Sequence, residues 1–161
     1  MGNQIQRSRL VNAASAPTWT AVSEMKAVRD WHPNVADVSL LTENNSGLGA
    51  SRRVHFLDGN SVVETVTEES PLEFVSVAMT ELPLLDEAVV TISMKEKSVG
   101  QTEVTFSIDY TLKYGPLGWL MNALMMKRVF KKIFGISLAG LAYHLETGEL
   151  VTDSIPAAAA I

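Results

Sequence analysis

The sequence predicts an α+β domain in which a curved antiparallel sheet of about seven strands wraps around one long C-terminal helix. The clearest strand signal lies at residues 102–113, where apolar and polar side chains alternate strictly. A strict period of two indicates an antiparallel sheet that is covered on one face only. The helix signal follows at residues 117–145. A curved sheet closed by one helix leaves an interior that side chains fill only in part, so we expect an internal apolar cavity.

The N-terminal elements are predicted in the order strand, helix, helix. Residues 4–13 form the first strand. A helix then runs from Ser15 or Pro17 to about Met25, because proline suits the first helical turn and a hydroxyl side chain caps it. A second short helix over residues 26–30 ends because the following His-Pro step disfavours helical backbone.

The remaining strands are marked by alternation and by the turn residues between them. Asp58-Gly59 is a strong hairpin signal, and Asn44-Asn45-Ser46-Gly47 indicates a turn. The predicted strands cover residues 35–41, 50–57, 61–68, 72–80, 87–97 and 102–113. We expect one domain over residues 1–150 and a flexible C-terminal tail over residues 151–161.

Composition excludes several classes of function. The chain has 161 residues, no cysteine and a formal net charge of −5. No disulfide, thiolate nucleophile or cysteine-based metal site can form, and the acidic balance argues against a nucleic-acid partner. No apolar run approaches the roughly 18 residues that span a bilayer, and the first ten residues lack a signal-peptide core, so we expect a cytoplasmic protein. We predict no cofactor and no metal, because the three histidines show no ligand spacing.

The long helix carries two apolar stripes. Leu120 and Leu124 represent the first stripe, and Phe134 and Leu141 the second, which is rotated by roughly a third of a turn. One straight helix cannot bury both stripes against one sheet. We therefore expect a break or bend between about Met125 and Gly135, so that the first part forms a semi-independent apolar flap. The alternative is a helix that curves continuously around the core.

Several short strings, in their order along the chain, resemble one known superfamily. They are PTWTAV at 17–22, DWHP at 30–33, GLG at 47–49 with RR at 52–53, DG at 58–59 with VE at 63–64, TEVTF at 102–106, and LAGL at 138–141 with LE at 145–146. Over positions 4–148 the chain resembles the START-like, or SRPBCC, superfamily of polyketide cyclase/dehydrase and lipid-transport proteins. The resemblance implies the helix-grip fold of the birch-pollen allergen. It leaves the activity open, because carriers, cyclases, hydratases and aromatase-like proteins share that scaffold.

The Asp58-Gly59 hairpin predicts a pair of opposite charges inside the sheet. In a three-residue-loop register, Arg52 and Glu64 fall on the same face as the valines and Phe56, which should point inward. Such a pair could orient a carbonyl or carboxylate group, or Glu64 could act as a general base. The alternatives are a charge pair near the rim, or a register shifted by one residue that places Glu64 opposite Arg53 in water.

Further candidates surround this pair. Glu64, Tyr110 and His32 are the catalytic candidates, and Trp31 is expected at the cavity rim, with a core position as the alternative. Tyr110 is either a phenol donor to a ligand or a core tyrosine. Flexible methionines, among them Met94, suit an adaptable pocket. The predicted ligand-binding residues are Trp31, Arg52, Phe56, Glu64, Phe74, Phe106, Tyr110, Met121, Met125 and Leu138.

We therefore predict binding or transport of a hydrophobic or aromatic small molecule, lipid-like or polyketide-like, between sheet and helix. One alternative is a cyclase/dehydratase-like enzyme that uses acid and base groups of the cavity. A second alternative is a non-catalytic interaction subunit that uses the apolar flap. The string KRVFKK at residues 127–132 suggests transient contact with an anionic membrane surface, with an ordinary solvated helix face as the alternative. A monomer and a homodimer are both compatible with the sequence.

Overall fold

Seven strands and three α-helices build the part of the chain that the structure describes. The computed structural model describes residues 3–113 and 115–152, without the side chains of four residues early in the last helix, Leu117, Trp119, Met121 and Asn122. The strands are β1 (Asn3–Val11), β2 (Val35–Leu40), β3 (Ser51–Phe56), β4 (Ser61–Ser70), β5 (Phe74–Thr80), β6 (Leu85–Ser98) and β7 (Gln101–Leu112). The helices are α1 (Ser15–Ser23), α2 (Val28–Trp31) and α3 (Pro116–Thr147), with a 3-10 turn (Met25–Ala27) before α2.

The strands form one antiparallel sheet in the order β1-β7-β6-β5-β4-β3-β2. The predicted architecture is confirmed: an antiparallel sheet of seven strands, two short helices after the first strand, and a long C-terminal helix. Strand ends differ from the prediction by a few residues. The strand predicted from residue 72 begins at Phe74, because Leu72 has a φ of +66° and belongs to the turn before it.

The helices cover the inner face of the sheet. The last helix packs on β1 and β7, α1 packs on β6 and β7, and α2 lies between β2 and α3. In β7 the residues with even numbers from Thr102 to Tyr110 are buried, and their odd-numbered neighbours are more exposed. The alternation of apolar and polar residues therefore identified the inward-facing side chains of β7 correctly.

The helix α3 is continuous from Pro116 to Thr147, so the predicted break is wrong, whereas the bend named with it stays a prediction. No proline follows Pro116 within it, and its end comes only at Gly148, whose φ is +77°. The two stripes are accommodated differently from the prediction. Phe134, Leu138 and Leu141 of the second stripe are buried, whereas Leu120 and Leu124 of the first stripe stay exposed to solvent.

Residues past the predicted domain boundary at residue 150 still pack against the domain. Val151 is buried, and its N–H donates to the carbonyl oxygen of Asp30 at 2.8 Å. The predicted tail therefore starts too early, because Val151 packs against the end of α2. The rest of that tail, residues 153–161, lies outside the described residues. Among residues 3–113 and 115–152, no helix is long and apolar enough to cross a bilayer.

Candidate functional site

A buried ion pair lies on the inner face of the sheet. Arg52 in β3 pairs directly with Glu64 in β4, as the predicted hairpin register requires. The Arg52 Nε donates to Glu64 Oε2 at 2.7 Å, and its Nη1 donates to the carbonyl oxygen of Met25 at 2.6 Å. The two side chains are only 10% and 13% exposed. Strand alternation forces them inward beside Val54 and Val62, so the predicted inward position is confirmed and the alternative register is excluded.

His32 lies near this ion pair and is held in one tautomer. The backbone N–H of Asn34 donates to its Nδ1 at 3.2 Å, so Nδ1 must be the unprotonated nitrogen. The Nε2–H then donates to Ser137 Oγ at 2.8 Å, and the Ser137 hydroxyl donates to the carbonyl oxygen of Ile133 at 2.8 Å. The imidazole therefore connects the end of α2 to α3 through an uninterrupted series of hydrogen bonds.

The environment keeps this imidazole neutral. The pKa of His32 is lowered from 6.5 to about 4, mainly by burial; the charge of Glu64 opposes this shift, and the charge of Arg52 adds to it. Because both ring nitrogens are already engaged, His32 serves as a structural connection in this state. Its candidacy as a general base stays a prediction.

Aromatic rings join the sheet to α3. Trp31 meets Phe106 edge-on, with ring centroids 6.0 Å apart and planes at 87°. Phe106 contacts Phe134 at 5.8 Å, and the series continues to Phe130 and Tyr110, whose centroids are 5.3 Å apart. Such pairs favour tilted or edge-to-face geometry, as seen here. The rings therefore link β7 to the helix through directional contacts.

Trp31 belongs to this core rather than to a rim. Its side chain is 3% exposed, and its indole N–H donates to the carbonyl oxygen of Ala21 at 2.8 Å. The expected rim position is wrong, because α1 supplies a hydrogen-bond acceptor that lets the whole indole ring be buried. The alternative core position, named from the sequence, is the one observed.

Phe106, Tyr110 and Leu138 also face the interior, as expected, and all three are buried. Burial raises the pKa of the Tyr110 phenol above its usual value of 10.0. The phenol is therefore protonated at neutral pH, and in this form it can donate a hydrogen bond. Contact of these residues with a ligand stays a prediction.

Two predicted ligand residues lie outside the interior. Phe74 pairs with Ser93 and shares the outer face with Ser76 and Thr91, because Val75 and Val77 occupy the inward positions of β5. Met125 is 51% exposed. The Met121 side chain lies outside the described residues, whereas Met94 on β6 is buried.

Sequence reasoning missed Met126 and Ser137. Met126 is 8% exposed and lies one helical turn before Phe130, so the second stripe extends further towards the helix start than we predicted. Ser137 lies one turn after Ile133 and is buried. A polar residue inside an apolar stripe was the available signal, because a buried hydroxyl needs a partner.

Several apolar side chains on the inner surface remain partly accessible to solvent. On the strands they alternate with the outer residues, and on α3 they face the sheet. They are Phe56, Met79, Val90, Leu112, Phe130 and Ile133. Inward-facing apolar groups that keep contact with solvent indicate that neighbouring side chains do not close around them.

A pocket of about 280 Å³ lies at the end of the sheet where β5 connects to β6. Met79 and Leu85 reach it from the strands, and Lys113 borders it and donates to the carbonyl oxygen of Leu82 at 3.0 Å. The backbone here is constrained, since Glu81 has a φ of +64°. Among the described residues, no three His, Asp or Glu side chains come together as a metal site.

The comparison with protein families decides the classification. The family described as polyketide cyclase / dehydrase and lipid transport matches residues 3–146. The chain belongs to this family. The predicted resemblance to the polyketide cyclase/dehydrase and lipid-transport proteins is thereby confirmed. No curated protein matches the chain.

Solved structures similar to this family member share its fold at low sequence identity. The Zhui aromatase/cyclase from Streptomyces sp. R1128 is 14% identical with a TM-score of 0.74, covering 91% of this chain and 94% of its own. A START superfamily protein from Mycobacterium smegmatis is 16% identical with a TM-score of 0.72, covering 89% and 97%. The major latex-like protein 151 from Panax ginseng is 13% identical with a TM-score of 0.69, also covering 89% and 97%. Structural similarity at this level of sequence identity shows a shared fold and does not show a shared ligand.

Proposed function

We propose that this family member binds a hydrophobic or aromatic small molecule between the inner face of the sheet and α3. The observation that carries the proposal is the set of inward-facing apolar side chains that stay partly accessible, among them Met79, Val90 and Phe130. A ligand that covers them removes apolar surface from water and gains about 25 cal/mol per Å².

The polar groups of the interior would orient such a ligand. Ligand pockets in proteins are mainly apolar and contain a few well-placed polar groups. Here the Arg52–Glu64 pair is the charged group on the inner face of β3 and β4, and Tyr110 adds a phenol on β7. A ligand with a ketone, phenol or carboxyl group fits these partners better than a pure hydrocarbon does.

The first experiment identifies any ligand directly. Protein purified from its own cells is analysed by native mass spectrometry, and the bound mass is extracted and characterised. Empty protein is then titrated with the fluorescent apolar probe N-phenyl-1-naphthylamine. We expect a stoichiometric hydrophobic guest, or uptake of one probe molecule per chain.

Two adjacent valines provide a matched test of location. Val90 faces the interior opposite Ile108, whereas Val89 faces outward opposite Asp109, and both are half-buried. Val90→Phe should reduce probe affinity at least about tenfold by occupying the space, while Val89→Phe should leave it unchanged. Equal effects of the two substitutions, or no uptake by the wild type, would contradict the proposal.

A second candidate function is a cyclase or dehydratase-like enzyme that uses the same interior. It is favoured by the three ionisable groups Arg52, Glu64 and His32, which interact there electrostatically. In this case Glu64 moves the proton, since both nitrogens of His32 are engaged. Glu64→Gln should then abolish turnover of a reactive polyketide-like substrate while probe binding persists. Turnover at the wild-type rate in this variant would remove Glu64 from the reaction.

A further inference from the structure

The charges of the chain are unevenly distributed between its elements. The net charge is −5, yet residues 115–145 contain four Lys or Arg residues and no Asp or Glu. Residues 1–23 likewise contain two arginines and no acidic residue. The structure places these segments side by side, since Arg7 Nη1 of β1 donates to the carbonyl oxygen of Lys131 in α3 at 2.9 Å. An acidic protein therefore places its two segments without acidic residues next to each other, on one side of the molecule.

Large apolar side chains are exposed on the same side of the molecule. In α3 they form two rows with a spacing of four residues, Leu120 with Leu124 and Met125 with Val129. Their exposed fractions are 64%, 70%, 51% and 41%. Neighbouring apolar residues that remain this exposed usually mark an interaction surface.

Basic side chains lie between and beside these apolar rows. At 100° per residue, Arg128 and Lys132 form a third row between the two, and Lys127 and Lys131 border the row of leucines. All four are exposed. We call the basic apolar face the outward surface of α3 formed by Leu120, Leu124, Met125, Lys127, Arg128, Val129, Lys131 and Lys132. The nearest acidic residue on the helix is Glu146, about 20 Å along the axis from Lys132 at 1.5 Å per residue.

We propose that the basic apolar face docks on the surface of an anionic lipid bilayer. Acyl chains accept the leucine and methionine side chains, and lipid phosphates complement the lysines and arginines between them. A second copy presenting the same face would bring like charges together, which opposes association. Nucleic acid would complement the charges and leave the leucines in water. The proposal stands apart from the ligand-binding function and requires no bound ligand.

The test is sedimentation of the purified full chain with vesicles. Vesicles of phosphatidylcholine with 30% phosphatidylglycerol are compared with vesicles of phosphatidylcholine alone. Each basic side chain near an anionic surface contributes about fivefold in binding. Wild-type protein should therefore bind the anionic vesicles at least about 100-fold more tightly. Raising the salt concentration from 0.05 to 0.5 M should weaken this binding, because screening shortens the reach of the charges.

Two variants and two matched controls locate the surface. Replacing Lys127, Arg128, Lys131 and Lys132 together with Gln should abolish the preference for anionic vesicles. The charge-matched control replaces Lys26, Arg29, Lys95 and Lys97 with Gln; these residues are exposed on other elements, and this variant should bind like wild type.

The apolar side chains are tested in the same way. The double variant Leu120→Gln with Leu124→Gln should bind the anionic vesicles at least about tenfold more weakly. The control Leu48→Gln with Val99→Gln should bind like wild type, because these side chains, 70% and 99% exposed, lie outside the basic apolar face. Circular dichroism checks that every variant is folded.

Three results would overturn the proposal. The first is equal binding to neutral and anionic vesicles. The second is an anionic preference that the control substitutions reduce as much as the helix substitutions do. The third is a dimer in sedimentation velocity that the paired leucine substitutions disperse in the absence of vesicle binding, since the face would then join two copies of the chain. Probe uptake by the interior is measured in parallel, so that loss of membrane binding and loss of ligand binding are distinguished.

Discussion

Arg52 and Glu64 lie directly opposite each other on β3 and β4, and their side chains form an ion pair on the inner face of the sheet. The pair is buried and also bonded to the carbonyl oxygen of Met25, so the guanidinium connects the sheet to the segment before α2. Removing one partner leaves the other charge uncompensated in a poorly hydrated place.

We predict that Arg52→Met and Glu64→Leu each lower the free energy of unfolding by about 3 kcal/mol. The double variant should lose less than either single variant, because apolar groups then replace both charges. Urea unfolding of the four proteins gives the coupling energy directly. Additive losses would show that the two side chains act independently.

The imidazole of His32 makes stability depend on pH. Its pKa is about 4 in the folded chain and 6.5 when unperturbed, so above about pH 6.5 the ring is neutral in both states. Between these values the unfolded chain binds a proton that the folded chain does not, and stability falls as the pH falls. The loss reaches at most about 3 kcal/mol near pH 4.

The prediction for His32 is that His32→Gln removes this part of the pH dependence. Unfolding free energies at pH 7, 5.5 and 4 should decline less steeply in the variant than in the wild type. Titration of the His32 ring by NMR provides an independent measurement. A midpoint near pH 6.5 in the folded protein would refute the buried neutral state.

Gly140 marks the closest approach of α3 to the end of α2. A Cβ at this position would overlap the carbonyl oxygen of Trp31 and the ring of Pro33, neither of which can move easily. Gly140→Ala should therefore destabilise the protein by at least about 2 kcal/mol.

Gly135 provides the control for Gly140 within the same helix. There a Cβ would meet the guanidinium of Arg7, the end of a flexible side chain that can turn away. Gly135→Ala should change stability by less than about 1 kcal/mol, because better helix propensity offsets the adjustment. Thermal unfolding of both variants tests the contrast, and equal midpoints would show that the contact at Gly140 is not tight.

The end of the folded domain can be tested at two neighbouring residues. Val151 is 4% exposed and Leu150 is 65% exposed. Val151→Ala should lower the free energy of unfolding by about 1 to 2 kcal/mol, because it leaves a cavity. Leu150→Ala should change the free energy of unfolding by less than about 0.5 kcal/mol. Urea unfolding measures both. If the two variants were equally stable, the packing of Val151 on α2 would contribute nothing.

The strand and hairpin predictions succeeded where local signals were unambiguous. The period of two placed Phe106 and Tyr110 on the inner face, and the Asp58-Gly59 turn fixed the register that brings Arg52 opposite Glu64. Both signals act over a few residues, so neighbouring elements could not alter them. Phe74 was misplaced because the alternation within β5 turns Val75 and Val77 inward, which leaves Phe74 on the outer face.

The sequence by itself determined the order of the elements, the antiparallel sheet, the apolar inner face and the family. It also showed that basic residues are concentrated in α3, because the charged residues of a segment can be counted in the sequence. Only the tertiary structure decided which helical stripe is buried, that Trp31 is enclosed by α1, and that Ser137 meets His32 across 105 positions of the chain. These outcomes depend on contacts between residues far apart in sequence. The local pattern of either partner carries no information about such contacts.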